Sequence, residues 1–211
     1  MRSRLLAAAA LTLALAVAAG CGGSGDEPAA AQTHAGHDGA TSTFEGGVIT
    51  PRRAAPPLRL KDIDGRTVDI TSYRGEPVLV TFVYANCPDI CPLIMENLRR
   101  VRAEAGPLGK RMKVIAVSVD PAGDTPAVVR EFLRKRRVGD FVDYLIGTRP
   151  QLERVWDDWQ IAQGVPKSDP ELVEHSGLVY GVTVSGELAT AYPVGFEAAA
   201  IVRDLRLLAD S

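Results

Sequence analysis

The sequence predicts an α/β domain in which a central mixed sheet is flanked by helices. Two apolar runs rich in β-branched residues, at 78–84 and 112–119, are each followed by a segment whose apolar residues recur at helical spacing. The chain then closes with two short apolar runs, at 178–184 and 188–192, and a last amphipathic segment. Strands that alternate with helices pair in parallel through right-handed crossovers, whereas the closing hairpin adds antiparallel strands.

An N-terminal β-hairpin is predicted before the first of these strands. Apolar stretches at 58–60 and 68–70 flank Asp64 and Gly65, and an Asp-Gly pair is typical of a tight hairpin turn. The strand at 78–84 carries no charge, as expected for a strand that is buried on both faces. The helix that follows it has an apolar face formed by Ile94, Leu98, Val101 and Ala105.

The later elements follow the same alternation. Thr125 can cap a helix that has Pro126 in its first turn, and residues 141–146 predict a weaker strand. Ser185-Gly186 is the predicted turn of the closing hairpin. The apolar faces of the three later helices are formed by Val129, Phe132 and Leu133, by Leu152, Val155, Trp156 and Trp159, and by Ile201, Val202, Leu205 and Leu208.

The first 20 residues have the proportions of a secretory signal peptide, with two arginines, an apolar run and small residues at its end. Cys21 follows Ala18-Ala19-Gly20, which resembles a bacterial lipobox, although that motif usually has leucine where Ala18 stands. The resemblance implies cleavage before Cys21 and lipid attachment to its sulfur. We therefore expect an exported protein, anchored by lipid to the outer face of the bacterial cytoplasmic membrane; simple secretion and an uncleaved anchor are the alternatives.

Residues 21–50 are predicted to form the lipidated cysteine and a flexible tether, and residues 51–211 the folded domain. The tether is rich in Gly, Ala, Ser and Thr, and as a coil it would span roughly 30 Å. His34 and His37 lie in it, and we expect them to be solvated because a metal site without a rigid frame binds weakly. The net charge of −2 shows no basic excess, so nucleic acid is not an expected partner.

Two cysteines lie where the buried strand turns into a helix, in the segment Cys87-Pro88-Asp89-Ile90-Cys91-Pro92. Pro88 disfavours a helical conformation at Cys87, and Pro92 is well suited to be the first helical residue with Cys91 as its cap. Cys91 would then lie at the positive end of the helix, where a thiolate is favoured. The two sulfurs can converge either as a disulfide or on one metal ion.

The stretch at 82–92, Phe-Val-Tyr-Ala-Asn-Cys-Pro-Asp-Ile-Cys-Pro, closely resembles the signature of the Sco (SenC) family. The resemblance spans roughly residues 58–209 and continues at Ser-Val-Asp-Pro (118–121), Asp-Thr-Pro (124–126) and Glu-His-Ser (174–176). Sco proteins are thioredoxin-fold copper-binding factors for assembly of cytochrome c oxidase, and the order of predicted elements is that of a thioredoxin fold. The resemblance implies copper as the bound ion and the CuA subunit of the oxidase as the partner.

The thioredoxin fold also predicts how a histidine reaches the cysteines. The strand at 178–184 would run antiparallel to the cysteine strand and begin at the edge where that strand ends. His175 precedes it, so we expect Cys87, Cys91 and His175 to bind the metal. Two thiolates with one imidazole suit Cu(I), and Cu(II) could bind there by adding water or a nearby oxygen as a further ligand. The candidate side chains around these ligands are Asp89, Asp120 and Asp124. Asp120 and Asp124 also have the pattern of turn residues beside prolines.

The cysteine pair leaves enzymatic alternatives open. A peroxiredoxin would have a proline and a threonine where this chain has Val80 and Tyr84, so that match fails. A thioredoxin-like reductase would have two residues between its cysteines and a proline before the penultimate strand; here three residues intervene and residues 176–179 hold no proline. Both departures favour metal binding over disulfide exchange. A structural disulfide is disfavoured because so short a loop stabilises little.

We therefore expect a copper chaperone rather than an enzyme. Cys87 and Cys91 are also expected to form a redox-active disulfide in an oxidising compartment. The main alternative function is a thiol-disulfide oxidoreductase that reduces the cysteines of the oxidase copper site. A copper sensor or redox signalling module stays open as a third.

Overall fold

The computed structural model describes residues 43–161 and 177–211. Within them, eight strands form one sheet. The strands are β1 (Gly47–Ala54), β2 (Arg59–Asp62), β3 (Thr67–Asp69), β4 (Val78–Val83), β5 (Lys113–Ser118), β6 (Val142–Ile146), β7 (Val179–Val182) and β8 (Glu187–Tyr192). The helices are α1 (Ile90–Glu104), α2 (Gly106–Arg111), α3 (Pro126–Arg136), α4 (Arg149–Asp158) and α5 (Ala198–Ala209), with a 3-10 turn at Ile70–Tyr73.

The strand order is β1-β8-β7-β4-β5-β6-β2-β3. Strands β4, β5 and β6 are parallel, whereas β7 and β8 on one side and β2 and β3 on the other add antiparallel pairs. All six residues of β4 are buried, because the strand lies in the middle of the sheet with both faces covered. The carboxyl ends of β4, β5 and β6 therefore meet at one edge, where ligand sites of such sheets form.

The helices cover both faces of the sheet. Successive strand residues point to opposite faces, so Thr81 and Phe82 of β4 face different layers. The register of β4, β5 and β6 places Tyr144 on the face of Thr81, where its ring lies 6.3 Å from that of Phe132 in α3. Trp159, directly after α4, packs against Phe82 at 5.8 Å. Helices α3 and α4 are thus on opposite faces of the sheet. Helix α1 contacts both α3 and α5 and lies on the same face as they do.

This architecture confirms the predicted fold: a thioredoxin-like domain with a central mixed sheet, flanking helices and an N-terminal hairpin. The predicted hairpin is β2 and β3, which pair antiparallel, and Gly65 in its turn has a φ of +82°. A left-handed conformation of this kind costs glycine little. Thr125 caps α3 as expected, since its hydroxyl oxygen accepts from the N–H of Val128 at 3.4 Å.

The predicted boundary between tether and domain, at residues 50 and 51, falls inside β1. Strand β1 pairs with β8 at the edge of the sheet, and Phe44 before it is buried. The carboxylate of Asp204 in α5 accepts from the backbone N–H groups of Glu45, at 2.9 and 3.0 Å, and of Gly46, at 3.1 Å. Strand β1 carries no local strand signal, because it has neither apolar alternation nor a buried face.

Several predicted features lie outside the described residues. These are the signal peptide at 1–20, the lipidation site Cys21, the tether up to residue 42, His34, His37 and the predicted ligand His175. Across the described ranges, the longest apolar helical stretch is too short to cross a membrane.

Candidate functional site

Helix α1 brings the two cysteines together at the carboxyl edge of the sheet. The helix begins at Ile90 with Asp89 in the cap position, so the prediction that it starts at Pro92 is wrong by two residues. Pro92 is tolerated as the third helical residue because the first four N–H groups of a helix have no partner within it. Cys91 consequently lies inside the first turn instead of capping it.

The sulfur of Cys87 lies at the start of this helix. The backbone N–H of Cys91 donates to Sγ of Cys87, with 3.4 Å between nitrogen and sulfur. A turn closes just before, since the N–H of Cys87 donates to the carbonyl oxygen of Tyr84 at 3.2 Å. Both cysteines are buried, with 8% of Cys87 and 0% of Cys91 exposed.

The environment of the two sulfurs differs. The hydrogen bond to Cys87 and, next, burial raise the pKa of the Cys91 thiol well above its usual range. Sγ of Cys87 instead receives an N–H from the positive end of the helix, which stabilises negative charge there. The raised pKa contradicts the thiolate predicted at Cys91, because this thiol is hydrogen-bonded to Cys87 and buried.

A buried carboxylate lies beneath this turn. Oδ1 of Asp124 accepts from the N–H of Ala85 at 2.8 Å, two residues before Cys87. Its Oδ2 accepts from the hydroxyl of Ser118 at 2.6 Å and from that of Tyr144 at 2.8 Å. The carboxylate thereby connects Ser118 of β5 and Tyr144 of β6 to the loop that carries the first cysteine.

Burial disfavours the charged form of Asp124, whereas its hydrogen bonds stabilise that form. Loss of water raises the pKa of Asp124, while the donors on Ser118, Ala85 and Tyr144 oppose the shift. The pKa of Tyr144 is also raised, by burial first and by the neighbouring Asp124 next. The cluster thus holds a carboxylate in the protein interior through three donors.

The other two predicted aspartates have different surroundings. Oδ1 of Asp120 accepts from the N–H groups of Ala122, at 3.2 Å, and of Gly123, at 2.9 Å, which closes the turn after β5. This is the turn role predicted from the sequence. Asp89 is exposed and caps α1 without a side-chain hydrogen bond. Of the three, Asp124 alone is buried.

In residues 43–161 and 177–211, no group of three or more His, Cys, Asp or Glu side chains could hold a metal ion. The described part of the site therefore supplies two sulfur ligands. Gly177, the first residue described after position 161, packs against the start of α1: a Cβ atom at Gly177 would be 3.1 Å from Cδ1 of Ile90.

Three side chains of this region were not predicted. Ser118 and Tyr144 bind Asp124, and the indole N–H of Trp156 donates to the carbonyl oxygen of Ser118 at 3.0 Å. Ser118 belongs to a short motif with Asp120 and Pro121, and Tyr144 has the pattern of any core aromatic in a strand. A polar residue at the carboxyl end of a buried strand is the signal that could have identified Ser118.

The sequence of this chain is similar to those of known proteins. The family model described as SCO1/SenC matches residues 48–210. A Stutzerimonas stutzeri protein named as copper-binding is 30% identical over 150 residues, which cover 70% of this chain and 69% of that protein. The mitochondrial protein SCO2 of Saccharomyces cerevisiae is 27% identical over 143 residues, and the match spans 64% of this chain and 46% of the yeast protein.

The fold is also similar to that of solved Sco structures. The structure of Bradyrhizobium japonicum ScoI with copper bound aligns with a TM-score of 0.65 at 25% identity, over 74% of this chain and 99% of that one. The apo Sco1 protein of Thermus thermophilus aligns with a TM-score of 0.67 at 25% identity, over 81% and 99%. The chain belongs to the SCO1/SenC family.

Proposed function

We propose that this protein is a copper chaperone that binds copper through Cys87, Cys91 and His175 and delivers it to the CuA centre of cytochrome c oxidase. The observation that carries the proposal is the convergence of the two cysteines at the start of α1, with 3.4 Å between the nitrogen of Cys91 and the sulfur of Cys87. A solved relative from Bradyrhizobium japonicum has copper bound, and the relative from Stutzerimonas stutzeri is named for copper binding.

The chemistry of the site suits copper as cargo. Two cysteine sulfurs are soft ligands, which select Cu(I) over the hard divalent ions. Binding requires Cys91 to lose its proton, and the raised pKa of this thiol makes that step costly. Copper affinity should therefore rise with pH across the neutral range, and protonation of Cys91 would favour release to a recipient.

The proposed nitrogen ligand is His175. Strand β7 runs antiparallel to β4, so the chain that leads into β7 arrives at the edge where β4 ends and the cysteines lie. Gly177 lies against Ile90 at this edge, two residues after His175 in the sequence. A ligand at position 175 would complete a set of two sulfurs and one nitrogen.

We assign Asp124 the task of positioning the loop of Cys87 through the N–H of Ala85. Such support around metal ligands typically changes affinity by roughly 10–100-fold. Asp89 lies between the two cysteines, and Asp120 lies in the turn after β5. Through their negative charges they are candidates for a weaker effect on copper affinity.

We further propose that the protein is exported and anchored by a lipid on Cys21 to the outer face of the bacterial cytoplasmic membrane. The charged start, the apolar run and the small residues before Cys21 support this. Mass spectrometry of protein purified from cells should find a mature chain that begins at an acylated Cys21. An unmodified Cys21 would exclude the anchor.

A thiol-disulfide oxidoreductase that reduces the oxidase cysteines is the second candidate function. The asymmetry between the two cysteines favours it, because an N–H-stabilised sulfur and a buried, protonated neighbour suit attack and resolution. On this proposal Cys87 and Cys91 form a disulfide when no metal is bound. The disulfide should then bind no Cu(I), since the metal needs thiolates.

One variant distinguishes the two functions. His175→Ala should lower Cu(I) affinity at least about 10-fold while thiol-disulfide exchange with a model disulfide largely survives, since both sulfurs remain. His34→Ala is the matched control and should leave both properties unchanged. Affinity is measured by competition with a chelator on the reduced protein. Unchanged copper affinity with lost oxidase assembly in His175→Ala would favour the oxidoreductase.

A further inference from the structure

A groove of about 430 Å³ runs between the cysteine loop and the outer side of α3. Ala85 and Asn86, which directly precede Cys87, form one wall. The other wall consists of α3 residues, namely Ala127, Val128, Glu131, Phe132, Lys135 and Arg136. A molecule in this groove would therefore touch the loop that holds the first sulfur.

Arg136 has a hydrogen-bond donor that is not satisfied within the described part of the domain. Its Nε atom is buried and has no hydrogen-bond partner within the described ranges. Its guanidinium carbon lies 5.9 Å from the ring centre of Phe132, so the aromatic ring supports the planar group from one side. Buried donors without a partner are rare in proteins, and a guanidinium presents its N–H groups in a fork that fits a carboxylate.

The charge of the groove is positive. The acidic side chain on its wall, Glu131, is already neutralised by Arg134 at 2.7 Å and by Lys135 at 3.6 Å. Arg136 adds a positive charge that no described carboxylate pairs with. The groove therefore attracts negative charge, although the whole chain has a net charge of −2.

We propose that this groove is the docking site for an acidic segment of the protein that receives the copper, with a partner carboxylate bound to the guanidinium of Arg136. The inference rests on the proposed function and names the surface that function would use. The groove is concave and admits a side chain between two walls, whereas a bilayer is flat, which favours a protein segment over anionic lipid. Docking here would hold the recipient against residues 85–86, next to Cys87.

The test uses the reduced, metal-free full chain in uncharged detergent, with a hexaglutamate peptide as the acidic probe and hexaglutamine as the uncharged control. Backbone amide shifts are followed by NMR. We expect hexaglutamate to shift the amides of Ala85, Asn86 and Val128 and hexaglutamine to leave them unchanged. Arg136→Gln should weaken binding about 3-fold to 10-fold, as expected for one partly buried ion pair.

Arg149→Gln is the matched control, because Arg149 is exposed on α4 and pairs with Glu153. It should leave hexaglutamate binding unchanged. Equal loss in both variants, or shifts spread over the whole surface, would show unspecific attraction and overturn the proposal. Shifts at the groove with phosphatidylglycerol vesicles but not with the peptide would assign it to lipid and overturn it too.

Copper transfer separates this inference from the function on which it rests. Arg136→Gln should bind Cu(I) with unchanged affinity but deliver it several-fold more slowly to the soluble CuA domain at low salt. Transfer at the wild-type rate would contradict docking at this groove. Failure of the wild-type protein to bind copper would instead contradict the proposed function, whatever the peptide does.

Discussion

The backbone N–H of Cys91 donates to Sγ of Cys87, with the two atoms 3.4 Å apart. This contact makes the two cysteines chemically unequal. Negative charge is stabilised at Cys87 by the start of the helix, whereas Cys91 is fully buried and its thiol has a raised pKa. The first helical turn therefore brings the two cysteines together and gives their sulfurs different electrostatic environments.

Alkylation should report this inequality. At pH 7, iodoacetamide should modify Cys87 faster than Cys91 in the reduced protein, because the thiolate is the reacting form and Cys91 is both protonated and less accessible. Peptide mapping by mass spectrometry after short exposure measures the two sites. Cys87→Ser should react slowly, whereas Cys91→Ser should keep most of the rate. Preferential modification of Cys91 would contradict the assignment.

The raised pKa of Cys91 also predicts how stability depends on pH. In the unfolded chain this thiol loses its proton near its ordinary value of 9.0, while the folded protein holds it. Above that pH, the folded state therefore holds more protons than the unfolded chain does. The contribution of this thiol to stability is present at lower pH and is lost as pH rises above 9.0. Urea unfolding of the reduced protein at pH 7 and pH 10 measures the loss.

Cys91→Ser is the control for this pH dependence, because serine does not titrate in the range. The variant should lose less stability between pH 7 and pH 10 than the wild-type protein. An equal loss would assign the effect to other groups.

The carboxylate of Asp124 should matter to both stability and site geometry. Asp124→Ala removes the acceptor of three donors and should cost about 3 kcal/mol of unfolding free energy. Asp124→Asn retains an acceptor for Ala85 and should cost less, because the hydroxyls of Ser118 and Tyr144 can turn to accept. Asp89→Ala, at an exposed position, should be near neutral. Equal stability of Asp124→Ala and Asp89→Ala in urea unfolding would contradict this account.

Asp204 should fix the start of the domain in the same way. It accepts from two backbone N–H groups before β1 and from the hydroxyl of Tyr192, at 2.8 Å. Asp204→Ala should destabilise the protein by about 2 kcal/mol and expose residues 43–54 to proteases, since donors lose their partner. Asp210→Ala, at the exposed end of α5, is the control. Unchanged cleavage kinetics in Asp204→Ala would refute this role.

The core elements could be predicted because local pattern and burial agree there. Strand β4 is a run of uncharged β-branched residues, and the structure buries every residue of it. The Asp64-Gly65 turn and the Thr125 cap were likewise predictable, since each depends on the chemistry of one or two residues.

The remaining features depend on contacts between distant segments. Strand β1 exists because it pairs with β8 and because Asp204, 159 residues after Glu45, binds the backbone just before the strand. No local pattern in β1 reveals these contacts. Helix α1 also begins two residues earlier than predicted, which places Cys91 inside its first turn rather than at its cap. The partnership of Asp124 with Tyr144 joins a loop to a distant strand and is invisible in the sequence alone.

X-ray absorption at the copper edge of the Cu(I)-loaded protein tests the central claim most directly. We expect one copper per chain with two sulfur neighbours and one nitrogen neighbour, and loss of the nitrogen neighbour in His175→Ala. A copper ion bound by nitrogen or oxygen alone, or a spectrum unchanged in Cys87→Ser and Cys91→Ser, would contradict it.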